Sequence, residues 1–83
     1  MALYAGSPDG QTVILIGKVE DRWYYESHNM PPTTFTGTID GWFDSSPEAQ
    51  DAAASRLMMT LVFRPVAEGR DPFLEAVANR PMR

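Results

Sequence analysis

Two short segments of the sequence carry residue types that could perform chemistry. Asp40 and Asp44 flank three residues that include Trp42, and two carboxylates at this spacing could bind a metal ion or act as an acid/base pair. Glu26 and His28 lie two positions apart in a strand-like stretch, which places both side chains on one face. A coupled acid–base site also needs a third group and a pocket, and the sequence indicates neither. We therefore interpret the aspartates as part of an Asp- and Gly-rich turn and His28 as a surface histidine opposite the core, and we predict no enzyme activity, no metal site and no cofactor.

The composition excludes several further classes of protein. The chain has 83 residues, which is the size of one domain, so we treat residues 1–83 as a single unit. The absence of cysteine excludes disulfides, thiolate zinc sites and cysteine nucleophiles. The longest apolar run, residues 13–16, is far shorter than the roughly 20 residues of a membrane helix, and the first residues lack the pattern of a secretory signal. We expect a cytoplasmic protein without membrane contact.

The charge is negative overall and unevenly distributed. The formal net charge is −4, and residues 1–55 hold two basic against eight acidic side chains. Residues 56–83 reverse this balance, with five basic and three acidic side chains. Binding to nucleic acid requires clustered Lys and Arg that neutralise phosphates, so we predict no direct contact with nucleic acid.

Most of the aromatic side chains lie between residues 23 and 43. They are Trp23, Tyr24, Tyr25, Phe35, Trp42 and Phe43. Consecutive strand residues point to opposite faces, so either Tyr24 or the pair Trp23 and Tyr25 lies on the less buried face. These rings fit a core covered by a C-terminal helix near Phe73, and they also fit a binding surface, where Trp and Tyr are enriched.

The acidic side chains of the same region also have two interpretations. They are Glu20, Asp21, Glu26, Asp40, Asp44, Glu48 and Asp51. They fit a solvated face that keeps a small protein soluble. Alternatively, spaced carboxylates imitate a row of phosphates and occupy the basic groove of a nucleic-acid-binding protein.

The elements that position these residues begin with strands. The pattern predicts an α+β fold with a small antiparallel sheet of three or four strands, mostly a meander. The predicted strands are 2–5, Thr12–Val19, 22–28 and 33–43, with a turn at 7–10 between the first two. Thr12–Val19 is apolar on both faces, which is typical of an internal strand. Gly37 and Gly41 indicate a bulge or a close backbone approach.

Two helices follow the strands. A Ser N-cap at residue 46 followed by Pro47 and Glu48 predicts a helix over 47–62 packed on one face of the sheet. Asp71 and Pro72 repeat the signal and predict a short C-terminal helix. Residues 61–66 fit either the end of the first helix or a last strand.

These features favour a non-catalytic inhibitor that binds a basic surface of a larger, nucleic-acid-handling protein. The candidate partner-binding residues are Glu20, Asp21, Tyr24, Tyr25, Glu26, Asp40, Trp42 and Asp44. In size, acidity and freedom from cysteine the chain is similar to small phage-encoded inhibitors such as anti-CRISPR proteins, and equally to toxin-immunity proteins. That likeness rests on general character and on no specific residues. The alternative is a homo-oligomeric component of a virion or scaffold, in which the apolar strand and the Phe73 segment make self-contacts.

Overall fold

The computed structural model describes residues 2–29 and 38–80 and contains one antiparallel sheet with two helices. The elements in chain order are β1 (Leu3–Gly6), β2 (Thr12–Val19), β3 (Arg22–Asn29), β4 (Thr38–Phe43), α1 (Ser46–Leu57), β5 (Arg64–Pro65) and α2 (Pro72–Ala78). The strand order across the sheet is β4-β3-β2-β1-β5. The α+β class is confirmed, and the first four strands form the predicted meander. The sheet has five strands where three or four are predicted, because a short segment after α1 pairs with β1.

Strand β2 lies inside the sheet and is covered on both faces, as its sequence predicts. Ile14 and Ile16 point to one face, where α1 packs against them, and we call this the α1 face. Val13 and Leu15 point to the opposite face beneath α2, which we call the α2 face. All four side chains are buried, so β2 is shared by both layers of the core.

The predicted turn at residues 7–10 joins β1 to β2. The Gly10 amide donates to the Ser7 carbonyl at 2.9 Å, and the Ser7 hydroxyl donates to the Asp9 carboxylate at 2.6 Å. Ser7 is only 1% exposed, so its hydroxyl is satisfied inside the turn. Strand β1 begins one residue later than predicted and ends at Gly6.

Helix α1 begins near the predicted position and ends earlier than predicted. Its N-cap is Ser45, one residue before the predicted cap, and the Ser45 Oγ accepts from the Glu48 amide at 3.3 Å. Met58 adopts a left-handed conformation with φ 54°, and its amide bonds back to the last turn of the helix. The helix therefore stops at Leu57 and does not continue to residue 62.

The segment after α1 takes an extended course along the sheet. Leu61 and Phe63 pack against the α1-face core, and Arg64 and Pro65 pair with Tyr4 and Leu3 of β1. Of the two predicted interpretations of residues 61–66, the helix is wrong, and a strand forms at Arg64–Pro65 within this segment. Tertiary contacts decide the outcome, because the apolar side chains reach the same core from an extended chain.

Helix α2 and strand β4 complete the fold. Asp71 caps α2 as predicted, because its carboxylate accepts from the amides of Phe73 and Leu74. Strand β4 pairs with β3, with a register shift opposite Trp23 and Tyr24 that confirms the predicted irregularity at Gly41. The predictions for residues 33–37, which include Phe35 and Gly37, lie outside the described residues.

Candidate functional site

Helix α2 covers one part of the α2 face and leaves the rest open. It packs on β1 and β2, where Ala76, Phe73 and Val77 contact Tyr4, Val13 and Leu15. Towards the β4 edge, the part of the α2 face that α2 leaves open includes five residues. They are Gly17 of β2, Tyr24 and Glu26 of β3, and Ile39 and Trp42 of β4. We call this surface the open patch.

The register places four of these residues side by side, and the ring contact with Tyr24 places Trp42 next to them. Tyr24 pairs with Gly17 on one side and with Gly41 on the other, and Glu26 pairs with Ile39. Directly opposed residues of an antiparallel ladder point to the same face. Ile39 is 59% exposed and Trp42 is 55% exposed, so two large apolar side chains of β4 face solvent on this surface.

Gly17 determines where the Tyr24 ring lies. The ring crosses directly above Gly17, and a Cβ at this position would overlap the outer atoms of the Tyr24 ring. Glycine inside a strand marks such a close approach. The Tyr24 ring therefore lies along the sheet surface, where it forms the floor of the open patch.

Trp42 packs against this floor. The two ring centroids are 5.7 Å apart and the rings are inclined at 75°, an edge-to-face contact that aromatic pairs favour. Burial raises the pKa of the Tyr24 phenol above its usual 10.0, and the nearby Glu26 carboxylate raises it further. A carboxylate therefore lies near the Tyr24 phenol on this face.

Glu26 lies at the side of the open patch that borders the part of the face covered by α2. Its Oε1 is 3.5 Å from His28 Nε2, and the two side chains share a face as predicted. His28 itself is 8% exposed, with its ring 5.1 Å from that of Phe73. The prediction of a surface histidine is therefore wrong: α2 docks over this part of the strand and buries the ring.

Tyr25 lies on the opposite side of the sheet and is 2% exposed. Its hydroxyl donates to the Asp40 carboxylate at 3.1 Å, and its ring stacks near Phe43 beneath α1. Burial, the hydrogen bond to Asp40 and the charge of Asp40 raise the pKa of Tyr25. Tyr25 cannot serve as a partner-binding anchor, because α1 fills the space that a partner would need. Of the two predicted arrangements of the aromatics, the structure has Tyr24 on the less buried face.

The other candidate carboxylates lie at one end of the sheet. Glu20 and Asp21 form the exposed turn between β2 and β3, and Glu20 has a positive φ of 56°. Asp44 follows β4 and lies 3.5 Å from the Arg22 guanidinium, an exposed ion pair. Asp40 is engaged with Tyr25 on the α1 face, so it does not join the patch. Within residues 2–29 and 38–80 there is no group of three His, Asp or Glu side chains that could hold a metal ion.

The open patch contains two residues that the sequence reasoning missed. Gly17 stands alone in an otherwise apolar strand, and this isolated glycine is the signal that could have revealed the close approach of Tyr24. Ile39 alternates with Asp40, but its face could be assigned only once the pairing with Glu26 was known. In the described part of the chain no helix is both long and apolar enough to cross a membrane.

No protein-family model matches this chain, and no curated protein or solved structure is significantly similar to it. The open patch and the charges around it are therefore the features of this chain that bear on its function.

Proposed function

We propose that this protein is a small non-catalytic inhibitor that binds a basic surface of a larger, nucleic-acid-handling protein in the cytoplasm. The observation that carries the proposal is the open patch, where Ile39 and Trp42 are more than half exposed beside Tyr24 and Glu26. Exposed apolar surface with a polar surround is typical of protein–protein contacts.

The charges around the patch support a basic partner. Residues 17–44 hold two cationic against five acidic side chains, and the Glu20–Asp21 turn extends from the end of the strands that carry the patch. Carboxylates steer a basic partner during the encounter, and buried aromatic rings supply most of the affinity afterwards. The aromatic anchors in this proposal are Trp42 and Tyr24. The negative electrostatic potential that attracts the partner comes from Glu20, Asp21, Glu26 and Asp44.

The first experiment captures partners from bacterial lysate with the purified protein and with two variants. Trp42→Ser removes the central anchor, and Leu74→Ser is its matched control, because Leu74 is 65% exposed on α2 outside the patch. We expect a stoichiometric basic partner that the wild type and Leu74→Ser retain and Trp42→Ser loses. A partner retained equally by all three proteins, or no partner at all, contradicts the proposal.

The second experiment tests the electrostatic part with the partner so identified. The variant Glu20→Lys/Asp21→Lys reverses two exposed charges at the turn without touching the core. We expect association to slow and to lose much of its salt dependence, while dissociation changes little. An unchanged association rate at low salt would show that these acids do not steer the partner.

A second candidate function is self-assembly, which the exposure of Ile39 and Trp42 on the edge strand β4 also favours. The two candidates differ in the size of the purified protein. A monomer at working concentration supports the inhibitor. A defined oligomer that Trp42→Ser dissociates and Leu74→Ser leaves intact supports assembly through the same patch.

A further inference from the structure

The two tryptophans of this chain differ in what covers their rings. Trp23 lies on the α1 face, where the Lys18 ammonium is 5.5 Å from the centroid of its ring. Trp42 lies on the α2 face in an edge-to-face contact with the Tyr24 ring, and the described residues place no Lys or Arg over it. Among the described residues, one indole therefore has a cation over its ring, and the other is 55% exposed.

The surroundings of Trp42 suit a cation from another molecule. A cation over an indole is stabilised by the ring quadrupole, most strongly when water is displaced and a carboxylate is near. Glu26 lies two residues from Tyr24 on the same face of β3 and pairs with Ile39 of β4. Its side chain keeps 21% of its surface exposed, and its Oε1 lies 3.5 Å from His28 Nε2. The nearest cationic side chain on β3, Arg22, is held by Asp44 at the end of the strand.

We propose that the open patch is a recognition site for an arginine side chain of the partner, stacked on Trp42 and paired with Glu26. This inference rests on the proposed function and names the chemical group that the patch selects. Arginine fits better than lysine, because a planar guanidinium stacks on an aromatic face and still directs N–H groups at a carboxylate. Tyr24, whose ring crosses above Gly17, contacts Trp42 on one side, and Trp42 remains 55% exposed to a guanidinium.

The test is a titration of the isotope-labelled protein with a short neutral-ended peptide, N-acetyl-Gly-Arg-Gly-amide, followed by NMR. The matched peptide carries citrulline, which has the shape of arginine without the charge. We expect saturable shifts of the Trp42 indole N–H with a millimolar Kd, and binding at least about fivefold weaker for citrulline. The Trp23 indole on the opposite face is the internal control and should not shift.

Three variants locate the site. Trp42→Leu keeps an apolar side chain without a π face and should abolish the saturable shifts, which are then followed at the Tyr24 amide. Glu26→Gln should weaken binding severalfold, whereas Glu68→Gln, at an exposed position outside the patch, should leave the Kd unchanged. The dispersion of the amide spectrum shows that each variant is folded.

The outcomes separate this inference from the proposed function. Equal binding of the arginine and citrulline peptides, shifts that survive Trp42→Leu, or no saturable shift at all would overturn arginine recognition. If Trp42→Ser still loses the captured partner in that case, the result supports the inhibitor proposal and contradicts the arginine site alone. If Trp42→Ser also leaves partner capture unchanged, the inhibitor proposal and the arginine site are both wrong.

Discussion

On the α1 face, a helix of 12 residues contacts β2, β3 and β4, and the segment after it closes the remaining surface with Leu61 and Phe63. On the α2 face, a helix of 7 residues packs on β1 and β2 and reaches β3 at His28, whose ring contacts Phe73. A helix is about 10 Å across, and neighbouring strands are about 4.8 Å apart, so one short helix covers about two strands. The difference shows how a very small domain obtains a binding surface. One face of its sheet is covered by α1 and the segment after it, whereas most of β3 and β4 on the other face stays uncovered.

The sharpest test of this contrast compares two isoleucines. Ile14 is fully buried on the α1 face and Ile39 is 59% exposed in the open patch. We expect Ile14→Ala to lower the free energy of unfolding by about 3 kcal/mol, because it leaves a cavity in a packed core. The same change at Ile39 should cost less than about 0.5 kcal/mol.

Urea unfolding of both variants measures this difference, with the slope of the transition checked for two-state behaviour. Equal losses of stability would mean that Ile39 is covered in solution, and the open patch would not be open.

The next test concerns the floor of the patch. Gly17→Ala introduces a Cβ into the space of the Tyr24 ring, and we expect a cost of about 1–2 kcal/mol together with displaced Tyr24 and Trp42 NMR signals. In a Tyr24→Ala background Gly17→Ala should instead raise the free energy of unfolding by about 0.5 kcal/mol. Without the Tyr24 ring there is no overlap, and alanine is more stable than glycine within a strand. A cost that persists without the Tyr24 ring would contradict the packing of Tyr24 on Gly17.

The covered part of the α2 face depends on the docking of α2, which its N-cap supports. Asp71→Ala removes the acceptor for the amides of Phe73 and Leu74 and should cost about 1 kcal/mol. Asp71→Asn keeps an acceptor and should recover most of this loss. Hydrogen exchange should show faster opening of α2 than of α1 in the alanine variant; equal acceleration in both helices would mean that the two faces are not independent.

The smallest effect concerns Tyr25 at alkaline pH. Because burial and the Asp40 hydrogen bond raise the pKa of Tyr25 above 10.0, the folded state keeps the phenol proton at a pH where the unfolded chain has lost it. The free energy of unfolding should therefore fall as the pH rises above about 10, towards the folded-state pKa. Tyr25→Phe should reduce this fall, measured as urea midpoints between neutral pH and about pH 11; an unchanged slope would assign the fall to other groups, including Tyr24.

Local chemistry in the sequence predicted most of the fold. The structure contains the strand β2 with apolar side chains on both faces and the turn at residues 7–10. It also contains both helices that the cap and proline signals predict. The early end of α1 could not be predicted, because Met58 adopts its left-handed conformation without the glycine that usually signals it. Strand β5 depends on pairing with β1, which is set by tertiary contacts and not by its own residues.

The candidate site was predicted in part, for a similar reason. Alternation along β3 separated Tyr24 from Tyr25, but which of the two faced outwards depended on where the helices docked. The burial of His28 depended on the same docking, since it is the Phe73 side chain of α2 that covers the ring. Residues that lie in register on neighbouring strands, such as Glu26 and Ile39, can be matched only once the pairing of the two strands is known.

Strand β5 has a consequence for how copies of this protein could associate. It is two residues long and ends in Pro65, which has no N–H to offer to a further strand, whereas β4 at the other edge is six residues long. A sheet with one usable edge can be extended once. Strand pairing between copies would thus join β4 to β4 across a two-fold axis and stop at a closed dimer, because a growing fibre needs two complementary edges on every subunit.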